Sequence, residues 1–140
     1  MTPTVRHYKS DDYESILAVW QATGLGGAHR GDNREVIERT LAHGGAFYVL
    51  QNNDDGQIIG TAWITSDARR LYLHHFGIIP EYQGQKLSHL LMKQCMEYTQ
   101  QQKLQIKLEV HQNNLIAQHL YEDYGFGYLG DYKVLIVREV

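Results

Sequence analysis

Two stretches of this 140-residue chain combine residue types and spacings suited to chemistry. The first is FGIIPEYQGQKLSHLL, residues 76–91. An extended run through Phe76, Gly77 and Ile78 halts at Pro80, a short glycine-bearing loop follows, and leucines then recur at helical spacing. The first amides of a helix lack intrahelical partners, and together with the dipole they attract negative charge. The loop Gln83, Gly84, Gln85, Lys86, Leu87 and Ser88 therefore suits a phosphate or pyrophosphate, although an ordinary strand-to-helix turn would look the same. The second stretch is LEVHQNNLIAQHLYEDYGF, residues 108–126. Here Glu109 alternates away from Leu108 and Val110, either into a cleft or simply into water. Tyr121 lies on an apolar helical stripe, where it packs, presents its hydroxyl, or does both. His74 and His75 are neighbours on an extended run, so their side chains should point to opposite faces. At most one of them then faces a cleft, and either would be a rival base with an ordinary pKa of about 6.5.

The elements that must position these residues follow from periodicity. Residues 4–9 lean to strand, and Ser10 with Asp11 and Asp12 starts a helix carrying Tyr13, Ile16, Leu17 and Trp20 on one stripe. Gly24 closes it. Asp32 with Glu35 three residues later suits a capping box for a second helix, which Gly44 and Gly45 end. The period then becomes two: AFYVLQ, NNDDG and QIIGTAWIT read as a hairpin, and residues 71–79 as a third strand. Residues 84–101 return to helix, 105–110 to strand and 114–124 to helix, with residues 132–140 as a last strand. The order β-α-α-β-β-β-α-β-α-β describes a mixed α/β class, expected to fill residues 1–140 as a single domain.

Composition narrows the function. Thirteen Lys and Arg against sixteen Asp and Glu give a net charge of −3, which argues against nucleic acid or an anionic membrane as partner. No apolar run is long enough to span a bilayer, and the first residues show no secretory pattern. The one cysteine, Cys95, excludes an internal disulfide, so a cytoplasmic setting is expected. It sits mid-stripe on a helix and reads as core rather than nucleophile. The eight histidines show no ligand spacing, so no metal is expected. The 83–88 loop matches neither Gly-Lys-Ser/Thr nor GxGxxG, so a different nucleotide is not favoured there.

In this frame the chain resembles the GCN5-related N-acetyltransferase (GNAT) superfamily. The acetyl-CoA loop of that family runs Gln or Arg, two residues, Gly, one residue, then Gly or Ala. Residues 83–88 are similar, with Lys86 where Gly is usual and Ser88 where Gly or Ala is usual. Glycine lets backbone approach phosphate closely, so Lys86 must point its side chain away or across the pyrophosphate as an added cation. Asn114, Ala117, Leu120, Tyr121, Gly125 and Phe126 resemble the family's Asn-x-x-Ala helix and Leu-Tyr-x-x-x-Gly-Phe ending.

The resemblance implies a mostly antiparallel central sheet flanked by helices. It also implies acetyl transfer from acetyl-CoA to an amine by direct attack in a ternary complex. The pantetheine arm would pair along Phe76, Gly77 and Ile78 where that strand splays from its neighbour, and Asn114 would contact the arm. Tyr121 would lie beside the thioester sulfur as proton donor, and Glu109 would be the proton acceptor. A lysine-like amine with a pKa of about 10.4 spends roughly 4.6 kcal/mol to become neutral at pH 7, an α-amine near 7.8 only about 1. The acceptor would be a small amine, an amino acid or a peptide amino group, and a homodimer fits the family. The alternative is a non-catalytic acyl-CoA-binding or regulatory domain that kept the cleft and lost turnover.

Overall fold

The computed structural model describes the backbone of residues 1–140 and every side chain except that of Ala28. Along the chain run β1 (Pro3–His7), α1 (Tyr13–Thr23), α2 (Arg34–Ala42), β2 (Ala46–Asn52), β3 (Gln57–Ser66), β4 (Arg70–Ile78), α3 (Ser88–Gln102), β5 (Gln105–Leu108) and α4 (Leu115–Asp123). Single 3-10 turns sit at Ser10–Asp12, Ala28–Arg30 and Pro80–Tyr82. The strands form one sheet in the order β1-β2-β3-β4-β5, antiparallel except for the parallel pair β4 and β5. This is the mixed, mostly antiparallel α/β class expected from the sequence.

Residues 46–50 of β2 are all buried, so both faces of the sheet must be covered there. Phe47 meets Trp20 of α1 and Trp63 of β3, with ring centroids 6.0 and 5.8 Å away. Tyr48, one residue on, meets Tyr98 of α3 at 6.5 Å. Helices α1 and α3 therefore cover opposite faces. Helix α2 joins α1, because Trp63 donates its Nε1–H to Thr40 Oγ1 at 2.9 Å. Cys95 is fully buried in this core, and burial pushes its thiol up to about 12, so it is packing rather than nucleophile.

The step from β1 into α1 is held by charge. Arg6 donates from Nη1 and Nη2 to the two oxygens of Asp12 at 2.8 and 2.9 Å, and the Lys9 amide adds a third bond at 2.8 Å. The Arg6 hydrogen bond lowers the Asp12 pKa, and that of Arg6 rises. Such a carboxylate stabilises the fold fully above its unfolded pKa of about 3.9 and loses that contribution as pH falls through its lower folded value. Asp12→Asn should cost about 2 kcal/mol at pH 7, read by urea unfolding, with the difference shrinking at pH 3.

Three expectations about elements need correction. Helix α3 begins at Ser88 rather than Gly84, because Gly84 and Lys86 take φ of +80° and +61°, which a right-handed helix does not admit. The cap of α2 is Asn33, whose side chain accepts the Val36 amide at 2.9 Å, and not the Asp32–Glu35 box. The strand expected at residues 132–140 is absent. That segment pairs with no strand, and after Gly130 its one backbone hydrogen bond among the described residues is the local one from Tyr132 to Gly130. No helix among the described residues is long and apolar enough to cross a membrane.

Candidate active site

The site begins where the parallel pair ends. β4 and β5 pair only from Arg70 opposite Gln105 to Leu73 opposite Leu108. β4 continues to Ile78 with β3 on one side, Gly77 opposite Thr61 and Ile78 opposite Gly60. The chain beyond Leu108 leaves toward α4, so a fork opens between them. It holds a cleft of about 380 Å³ bordered by His74, His75, Phe76, Glu109, Asn114 and Tyr121. Glu109 lies just past the end of β5 rather than on it, because β4 bends at a bulge and no longer runs alongside.

The bulge decides where the histidines go. The β3–β4 register shifts between Thr61 and Trp63, and His75 absorbs the extra residue with φ of +47°. Its carbonyl accepts the Thr61 hydroxyl at 2.7 Å, and that hydroxyl oxygen accepts the Trp20 indole N–H at 3.1 Å. The His75 ring sits beside the stacked indoles of Trp20 and Trp63, 4.9 and 5.6 Å from their centroids. Both histidines border the fork, their rings 6.3 Å apart, which corrects the expectation of opposite faces. Strict alternation fails because a bulge resets it.

The two rings have different partners. His75 Nε2 lies 2.8 Å from Asp32 Oδ2, and the same oxygen accepts the Gly27 amide at 3.2 Å. A carboxylate oxygen only accepts, so Nε2 donates in this contact and the ring is held in place. The same contact ties the 24–33 loop to β4. His74 Nε2 is 2.8 Å from Thr65 Oγ1, and burial, with His75 adding to it, pulls its pKa down to about 4. His74 is therefore neutral at physiological pH and a weak base. Glu109 is exposed and forms no ion pair among the described residues.

Tyr121 is buried from α4 into the fork, its ring edge-on to Phe76 at 5.9 Å and to Phe126 at 5.7 Å. Burial pushes its pKa up to about 12, so the hydroxyl keeps its proton at neutral pH. Asn114 is the N-cap of α4, its Oδ1 accepting the Ala117 amide at 3.2 Å, which leaves its amide nitrogen facing outward. At the end of β4, Gln83 Nε2 donates to Ile78 O at 2.8 Å and anchors the 83–88 loop beside the fork. No backbone hydrogen bond occupies the amides of residues 84–88 among the described residues. The left-handed Gly84 and Lys86 alternate with Gln85 and Leu87, as in a backbone nest for an anion. Lys86 adopts there the conformation that glycine ordinarily supplies.

A second cleft, about 460 Å³, lies between α1 and the 24–30 loop and shares Leu25 and Arg30 with the fork. Gly77 permits this junction, since a Cβ there would sit 2.9 Å from Leu25 Cδ1.

The profile of the Acetyltransferase (GNAT) family matches residues 11–126 of this chain. The chain belongs to that family. Three solved structures have the same GNAT fold. One is a probable acetyltransferase of unknown function from meticillin-resistant Staphylococcus aureus, 20% identical, with a TM-score of 0.77 over 99% of this chain and 100% of that one. Another is a predicted acetyltransferase with acetyl-CoA from Clostridium acetobutylicum, 15% identical, with a TM-score of 0.74 over 96% of each chain. The third is glucosamine-6-phosphate N-acetyltransferase from Arabidopsis thaliana, 15% identical, with a TM-score of 0.72 over 99% of each.

Within this GNAT domain, Asp32 and Thr61 are the site residues that sequence reasoning missed. Asp32 looked like a helix cap and Thr61 like a plain strand residue. Only the bulge, formed by strands far apart in sequence from Asp32, brings them to His75.

Proposed function

We propose that this GNAT chain is an N-acetyltransferase that moves the acetyl group of acetyl-CoA to an amine. The observation that carries the reading is the fork between β4 and β5, with a loop of unpaired amides anchored at its side. In this reading the pyrophosphate of acetyl-CoA takes the amides of Gly84, Gln85, Lys86, Leu87 and Ser88, with the Lys86 ammonium as an added cation. The pantetheine arm lies along Phe76, Gly77 and Ile78 as the missing strand neighbour, with Asn114 on its other side. The thioester then reaches the cleft beside Tyr121.

The amine nitrogen attacks the thioester carbonyl carbon, a C–N bond forms, and the C–S bond breaks. The sulfur leaves as a thiolate toward the Tyr121 hydroxyl. The proton lost by the amine goes to a base in the same cleft. His75, fixed by Asp32, is the assigned base, and Glu109 is its rival, able to act directly or through water. The acceptor, a small amine, an amino acid or a peptide amino group, enters from the second cleft across Leu25 and Arg30.

Binding is testable without turnover. Acetyl-CoA at about 100 times its dissociation constant should stabilise the protein by roughly 2.7 kcal/mol, seen as a thermal shift of several degrees. Ser88→Asp sets a negative charge against the pyrophosphate and should weaken binding at least tenfold, about 1.4 kcal/mol, in a calorimetric titration. No shift with millimolar acetyl-CoA, or unchanged affinity in Ser88→Asp, would remove the loop from the cofactor site.

A further inference from the structure

Arg30 borders both clefts. Its side chain is exposed and forms no ion pair among the described residues. The backbone beneath it is nevertheless held. The Arg30 amide donates to Gly27 O at 2.9 Å, and the Asp32 amide reaches the same oxygen at 3.2 Å. The Asp32 carboxylate in turn takes the Gly27 amide and the His75 ring. A guanidinium without a counter-charge therefore stands where the two clefts meet, on a loop tied to β4.

The charges around it are one-sided. Leu17 and Leu25 give the second cleft apolar walls, His29 and Arg30 are its titratable groups, and no carboxylate borders it among the described residues. In the fork, Lys107 is a second cation, its Nζ 5.8 Å from the Tyr72 ring centroid. Glu109 is the one carboxylate bordering the fork among the described residues, and Asp32 is engaged by His75 and Gly27. The whole chain carries sixteen acidic residues against thirteen basic ones, so the clefts reverse its overall sign. A cleft lined by one sign of charge concentrates its field and draws ligands of the other sign. A polyamine would need carboxylates here and would meet Arg30 instead. A guanidinium presents paired N–H donors that match carboxylate or phosphate oxygens two at a time.

We propose that the acceptor carries an anionic group of its own, a carboxylate or a phosphate near the amine, and that Arg30 binds it. Leu17 and Leu25 then pack on the apolar body of the acceptor, and the amine points from the junction into the fork. Arg30 selects the substrate and takes no part in proton transfer. The inference rests on the acetyltransferase reading, in which the acceptor enters across Leu25 and Arg30.

The test uses acceptor pairs that differ only in the anion: leucine against leucinamide, and phosphoethanolamine against ethanolamine. The anionic member of at least one pair should have a kcat/KM about 10- to 100-fold higher, and the pair with the larger gap identifies the anion. Arg30→Gln should close that gap, mainly by raising KM for the anionic member, and Arg30→Lys should restore part of it. A second arm titrates the same four compounds onto protein loaded with CoA, where no transfer can occur, and the same preference is expected in affinity. Preference in binding without turnover of any amine leaves the anion site standing and removes the transfer reading alone. Turnover of the neutral members, or of a polyamine, at least as good as that of the anionic ones overturns the inference and leaves the transfer reading intact. A preference that survives Arg30→Gln, or failure of both anionic compounds to bind or react, also overturns it.

Discussion

Tyr121→Phe should lower kcat by about 10²- to 10³-fold while leaving acetyl-CoA affinity within about twofold. The substitution keeps the ring between Phe76 and Phe126 and removes only the hydroxyl. Burial pushes that hydroxyl up to about 12, whereas a thiol of the cofactor type titrates near 8.5. Complete proton transfer from tyrosine to thiolate is then uphill by roughly 5 kcal/mol. The hydroxyl acts better as a fixed hydrogen-bond donor to charge that develops on sulfur, and losing one such donor is typically worth 10²–10³ in rate. Because the bond strengthens only as the thiolate forms, kcat and kcat/KM should fall together. A phenylalanine variant with full turnover would make Tyr121 a packing residue alone.

The second large effect concerns the base. His75→Gln should reduce kcat by about 10²-fold or more and abolish the acidic limb of the rate–pH profile. Asp32→Asn should keep the loop contact in size but lose the charge that fixes the ring. A drop of about tenfold with a displaced acidic limb is expected, and a purely structural role would leave the limb in place. His74→Gln should change little, since burial already keeps that ring neutral with its Nε2 taken up by Thr65. Glu109→Gln decides the rivalry. If it alone loses the acidic limb, the exposed carboxylate is the base and His75 only positions the loop. If His75→Gln, His74→Gln and Glu109→Gln all stay active, the amine arrives neutral or gives its proton to water.

What was legible in the sequence was local. The strand–loop–helix of residues 76–91 and the Asn114–Phe126 segment each lie on contiguous chain, and their spacing survives folding intact. The fork, however, depends on where one strand stops pairing with another. Leu108 and Glu109 look alike as strand residues until β4 bends away. The bulge at His75 was not visible either, because it arises from a one-residue mismatch between β3 and β4 that no run of residue types announces. The Asp32–His75 bond joins residues 43 positions apart, and Asp32 carried a convincing local alternative as a helix cap. Residues 132–140 have the composition of a strand, but a strand also needs an edge to pair with, and the chain does not bring this one to its own sheet.

The central claim is that this fork transfers acetyl groups rather than only holding the cofactor. Free thiol released from acetyl-CoA, followed against a panel of amines that includes aminosugars, polyamines, free amino acids and peptide amino termini, tests it most directly. The account predicts release that depends on one amine class, saturates in both substrates, yields one acetylated amine per thiol, and falls at least 10²-fold in Tyr121→Phe. Tight acetyl-CoA binding with no amine-dependent release across the panel would contradict it and leave a binding domain.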